Sequence, residues 1–145
     1  MSAPLQIVTG SVLLLICSAI HIAMLVSVIG LLGRRPRRPE GRVLPRHWVF
    51  PTTIAFLSVI LAHTVQVWIW AVSFIALSAL QNFSDALYFS LVTYTTVGYG
   101  DVIVGPDYRL FAAMAAVTGL LNFGLSTAFL VGLFGRLLPD DPRRG

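Results

Sequence analysis

The sequence predicts an all-α membrane protein in which three helices cross the bilayer and a fourth, short one enters it partway. Three observations carry that expectation. The 145 residues are 57% hydrophobic and 11% charged, with a mean hydropathy of +0.84, too apolar for a soluble domain of this size. Apolar residues gather in three long runs, 5–32, 48–80 and 108–138, each sufficient to span about 30 Å of hydrocarbon as a helix. Between the second and third runs lies a segment too short to cross, 85–94, which leads into a glycine-bearing loop at 95–101.

The first run, within 1–33, is about 42 Å long as a helix. A secretory signal would need a basic stretch ahead of a shorter apolar core, so this run reads as a retained helix. In the basic loop 34–47, Pro36, Pro39, Gly41 and Pro45 oppose any stable helix. All ten basic residues are arginines, six of them between 34 and 46 and three between 136 and 144. Under the positive-inside rule these two groups lie in the cytoplasm, which leaves the N-terminus and the loop 95–101 outside. The location expected is the cell membrane. Arg34, Arg35, Arg37 and Arg38 also suit anionic lipid head groups, at about 1 kcal/mol each, although a topology signal alone explains them more simply. Nucleic-acid binding has no accompanying fold. Cys17 is the single cysteine, so the chain has neither an internal disulfide nor a structural zinc site, and it reads as a packing residue.

The second run, 48–80, starts with Trp48 at an interfacial position and Pro51 in the first turn, where a missing amide hydrogen is tolerated. At about 50 Å it exceeds the hydrocarbon thickness and is expected to tilt, with Trp68 and Trp70 towards its outer end. Ser84 as a cap and Asp85 in the first turn predict the short helix 85–94. After the loop, Asp107 is the expected N-cap of the helix 108–138, which Pro139 and two aspartates end before the tail 139–145.

The loop reads Thr95, Thr96, Val97, Gly98, Tyr99, Gly100, Asp101. A strand whose carbonyls all face one axis needs backbone conformations that Gly98 and Gly100 reach without a Cβ penalty. Val97 and Tyr99 then project away from that axis, and Thr96 adds a hydroxyl at the inner end. Carbonyl oxygens so arranged replace the water shell of a cation, and a ring of them needs about four copies of the loop. The chain holds one copy, which predicts closed cyclic assembly as a homotetramer with a central pore.

This heptapeptide resembles the signature of potassium channels, and the resemblance extends over 48–138. It implies the layout of the small bacterial potassium channels with two membrane helices per subunit: outer helix 48–80, pore helix 85–94, filter 95–101 and inner helix 108–138. The first helix is an addition to that layout. By the resemblance, Thr96, Val97, Gly98 and Tyr99 supply the K⁺ sites, with Thr95, Gly100 and Asp101 in support. Gly119 stands at the family's hinge position, where either bending or close helix packing explains a glycine that costs a helix about 1 kcal/mol relative to alanine. Leu120, Phe123 and Thr127 share the face that lines the family's cavity, and Asn122 lies off it, placed for a hydrogen bond between helices. Val92 stands where some bacterial members place a glutamate that pairs with the aspartate after the filter. Tyr88 stands where many have a tryptophan that reaches the same aspartate, so its phenol is the expected partner of Asp101.

His21 and His63 fall at similar depth if the first two helices are antiparallel, and Gln66 shares a face with His63 at i+3. Polar groups at that depth are paired, so His21 is expected to meet His63 or Gln66, as a neutral hydrogen bond or, in a sharper reading, as a proton sensor. Passive K⁺ conduction, with K⁺ as the permeant ion, no other cofactor and no enzymatic reaction, is the function the resemblance implies. The alternatives are the pore-forming subunit of a K⁺ transport complex and a non-conducting modulatory channel subunit. The helices carry no arginine ladder of the kind a voltage sensor needs.

Overall fold

The computed structural model describes residues 1–33 and 46–137. It comprises α1 (Ala3–Gly33), α2 (Arg46–Ala76), α3 (Phe83–Tyr94), a single 3₁₀ turn (Pro106–Tyr108) and α4 (Arg109–Leu137), with no strand among the described residues. Three helical stretches are long and apolar enough to cross a bilayer: Ala3–Leu31, Val49–Ala76 and Pro106–Gly135. The protein is thus an all-helical, multi-pass membrane protein with one short helix between the second and third spans. The arginine loop and the tail lie outside the described residues, and with them the lipid contacts expected of Arg34, Arg35, Arg37 and Arg38.

α1 packs chiefly on α4 and then on α2, while α3 is held between α2 and α4. Pairs separated by 104 and 105 residues, Gln6 with Leu110 and His21 with Ser126, meet along the α1–α4 interface, so these two helices run parallel. The N-terminus and the loop 95–101 therefore lie at the same end of the bundle. At Gly10 an added Cβ would come within 2.6 Å of Met114, which explains a small residue where α1 packs closely on α4. The apolar core lies in the loop-side half. Trp70, Phe74 and Phe111 are fully buried there, with ring centroids 5.1 Å apart for Trp70–Phe111 and 5.5 Å for Phe74–Phe111.

Several boundaries differ from those expected of the sequence. The outer helix stops at Ala76, although the apolar run continues to Leu80. Ser78 adopts a left-handed conformation at φ 56°, and Ala79 N–H and Ser78 N–H donate to the carbonyls of Phe74 and Ile75 at 2.9 Å each. That is a Schellman cap built on a serine where glycine is usual. Trp70 lies inside the core, and Trp68 is half exposed against Phe83. α3 starts at Phe83 because Asn82, not Ser84, is its N-cap, accepting from Ser84 N–H at 2.9 Å. Asp107 does not cap the inner helix, since Pro106 places it inside the 3₁₀ turn. The side-chain carbonyl of Gln6 takes that part, accepting from the backbone N–H of Leu110 at 3.0 Å and of Phe111 at 3.4 Å.

Candidate ion-conduction site

The loop after α3 is shaped by alternation. Thr96, Gly98 and Gly100 have φ of 62°, 58° and 78°, so every second residue is left-handed. Reversing the sign of φ at alternate residues turns successive peptide planes to the same side, which a regular strand, pointing them alternately, does not do. The glycines adopt this conformation freely, whereas at Thr96 it costs a β-branched residue about 1 kcal/mol or more. The loop's own amides supply compensation: Thr96 N–H donates to Thr93 at 2.9 Å, and Val97 N–H and Gly98 N–H both donate to the Val92 carbonyl at 3.0 and 3.2 Å. The N–H groups are thereby tied back to α3. Among the described residues no hydrogen bond ends on the carbonyls of Thr96, Val97, Gly98 or Tyr99. Thr95 closes the helix end, its hydroxyl donating to the Leu91 carbonyl at 2.7 Å. The partially negative C-terminus of α3 thus sits at the foot of the loop, where it favours a cation.

At the other end of the loop, Tyr88 donates its hydroxyl to Asp101 at 2.6 Å. This bond holds the Asp101 carboxyl below the usual carboxylate range and pushes the Tyr88 phenol up. Behind the strand is a cavity of about 110 Å³, lined by Tyr88, Val92, Gly98 and Asp101 among others. Val92 offers it no polar group, so the tyrosine bond is the brace between α3 and the strand on this side.

Gly119 of α4 faces the foot of the loop, and a Cβ there would overlap the carbonyl oxygen of Tyr94 and lie 2.8 Å from its carbon. Close packing therefore requires the glycine, whatever bending it also allows. Leu120 and Thr127 lie on an exposed face of α4, where Thr127 bonds back to the Phe123 carbonyl at 2.9 Å. Phe123 is only partly on that face, because its ring stacks on His63 at 4.4 Å and meets Tyr94 edge-on at 5.8 Å.

The structure brings His21, His63 and Gln66 together. Gln66 Nε2 lies 2.8 Å from His21 Nδ1, and the two imidazole rings are 4.9 Å apart. Sequence reasoning missed two further members, Ser126 and Tyr94. Ser126 Oγ is 2.9 Å from His21 Nε2 and 3.0 Å from His63 Nε2. Tyr94 Oη is 2.9 Å from His63 Nδ1 and 3.0 Å from Gln66 Oε1. Asn122 donates to Gln66 Oε1 at 2.6 Å. Asn122 and Ser126 are an i, i+4 polar pair in an apolar helix, a signal that was available in the sequence.

Three apolar spans, a short helix that ends at an extended loop, and a strand of unpaired carbonyls define the pore unit of a membrane ion channel. The comparison with known families agrees: residues 56–136, more than half of the chain, match the family described as "Ion channel", and the chain belongs to it. It is also similar to a voltage-gated potassium channel of Aeropyrum pernix, with 32% identity over 66 residues. That match covers 45% of this chain and 22% of the relative, so the chain spans well under two thirds of the relative's length. No solved structure matches the chain.

Proposed function

We propose that the chain is the pore-forming subunit of a potassium-selective channel that conducts passively as a homotetramer. The observation that carries this reading is the alternation at Thr96, Gly98 and Gly100, which leaves the carbonyls of Thr96 to Tyr99 without partners while the amides of Thr96, Val97 and Gly98 are tied to α3. Four such strands around one axis would give stacked rings of weak oxygen ligands with the spacing and field that suit K⁺. Thr96, Val97, Gly98 and Tyr99 supply those ligands. Thr95, Gly100, Asp101 and Tyr88 hold the strand.

Assembly also accounts for exposure. Tyr99 is 74% exposed in the single chain, and neighbouring copies packed around a shared axis would cover it. Leu120, Phe123 and Thr127 then line the cavity below the filter, and Gly119, a packing glycine against the Tyr94 carbonyl, is the hinge candidate of the inner helix. The arginine groups put the N-terminus and filter outside, with Arg34, Arg35, Arg37 and Arg38 available to anionic lipid. The similarity to a potassium channel supports the choice of ion.

Purified protein in liposomes tests this. Efflux of K⁺ blocked by Ba²⁺, without comparable Na⁺ flux, is expected. A folded assembly that conducts nothing alone points to a modulatory or partner-dependent subunit and overturns the proposal.

A further inference from the structure

The polar contacts around His21 and His63 close into a ring whose hydrogens have only one consistent arrangement. Gln66 uses its amide nitrogen to donate to the Ala62 carbonyl at 3.1 Å and to His21 Nδ1. His21 Nδ1 is therefore an acceptor, and its Nε2 carries the hydrogen that goes to Ser126 Oγ. Tyr94 gives its hydroxyl hydrogen to Gln66 Oε1, so His63 Nδ1 must donate to Tyr94 Oη. His63 Nε2 is then an acceptor, and Ser126 donates to it. The order Gln66, His21, Ser126, His63, Tyr94 and back to Gln66 is a cycle in which each member donates to the next. It joins α1, α4, α2 and α3, and it requires two neutral histidines of opposite tautomer.

We propose that this ring is a brace that positions the inner end of the filter through Tyr94, that the first helix takes part in it through His21, and that one proton added to His21 opens it. Tyr94 immediately precedes Thr95 and Thr96, and its carbonyl is seated against Gly119. The ring fixes that residue from the side-chain end. At His21 the cycle has no vacancy for a further hydrogen, which would point at the amide nitrogen of Gln66, already a donor to the Ala62 carbonyl; at His63 a further hydrogen is tolerated, because Ser126 Oγ has a second lone pair and can accept from both rings.

Among the described residues the surroundings provide no counter-charge. α1 brings Cys17 one turn from His21, α3 brings Tyr94, α2 brings His63 itself, and α4 brings Asn122 and Ser126 but no titratable side chain. Asp107 and Arg109 lie at the loop-side start of α4, remote from Ser126 along that helix. Protonation of His21 thus removes a link instead of forming a salt bridge. The consequence is a filter that loses its inner support in acid.

This inference rests on the conduction reading, so the test has an arm that does not depend on conduction. Nitrogen-15 NMR of histidine-labelled protein in bilayers near pH ~7 is expected to find His21 protonated at Nε2 and His63 at Nδ1, both neutral. Equal tautomers, or a doubly protonated ring, overturn the brace. In reconstituted currents, Ser126→Ala is expected to hasten decay during sustained opening about fivefold, the equivalent of one hydrogen bond, while Ser126→Thr keeps the parent rate. Acidification from about pH 7 to about pH 4 should hasten decay in the parent and add nothing in Ser126→Ala. Indistinguishable decays, or equal acid responses in both proteins, overturn the proposal while leaving K⁺ conduction standing.

Discussion

Replacing Gly119 with alanine separates two accounts of that glycine by sign. If the residue served only to let the inner helix bend, alanine would stabilise the helix by about 1 kcal/mol. The structure opposes that gain. The new methyl would overlap the Tyr94 carbonyl oxygen, lie 2.8 Å from its carbon and stand 3.1 Å from its Cδ1. Carbon atoms rest at about 3.5 Å or more, so the backbone of Tyr94 must retreat by at least about 0.7 Å. That exceeds the roughly 0.5 Å within which a functional constellation is held. Overpacking of this kind costs about 1–3 kcal/mol, and the upper part of the range applies because the obstacle is backbone. Net destabilisation of about 1–2 kcal/mol follows, together with displacement of Thr95 and Thr96 at the filter foot. Thermal unfolding of the solubilised assembly and K⁺ flux in liposomes measure both. Gly30→Ala is the control, because a Cβ there meets nothing within 4 Å and only the propensity gain remains. Parent-like stability and flux in Gly119→Ala would refute the packing argument.

Other outcomes follow from the same geometry. Tyr88→Phe removes the hydroxyl from Asp101 and is expected to hasten current decay during prolonged opening, measured by patch recording. Because the Asp101 carboxyl is held below its ordinary range, the brace it forms is intact above the usual carboxylate pKa and is lost only as pH falls through the lowered value. Acid titration of decay in Ser126→Ala, where the polar ring is already open, should therefore stay flat down to about pH 4. Gln6→Leu leaves the first amides of α4 uncapped and should lower stability by about 1 kcal/mol, read in the unfolding midpoint, with selectivity unchanged.

The membrane class, the order of the helices and their approximate extents were legible in the sequence, because apolar runs and glycine positions are local signals. The end of α2 was not legible: Ile75 to Leu80 is uniformly apolar or small, and nothing local announces that Ser78 turns left-handed. Depth counting brought His21 to the level of His63 and Gln66. It gives position along a helix but not rotation about it, so Ser126 and Tyr94 were missed. The same limit hid Gln6, which acts on a helix more than a hundred residues away. At Gly119 the sequence offered bending and packing equally, and only the seat of the Tyr94 carbonyl distinguishes them.

Ion choice by the strand from Thr96 to Tyr99 is the central property of the proposed channel. The reversal potential of the purified protein in a planar bilayer, with K⁺ on one side and Na⁺ on the other, measures that choice. A potential displaced far towards the K⁺ equilibrium value is predicted. A value near zero, meaning that Na⁺ passes as readily as K⁺, would contradict it.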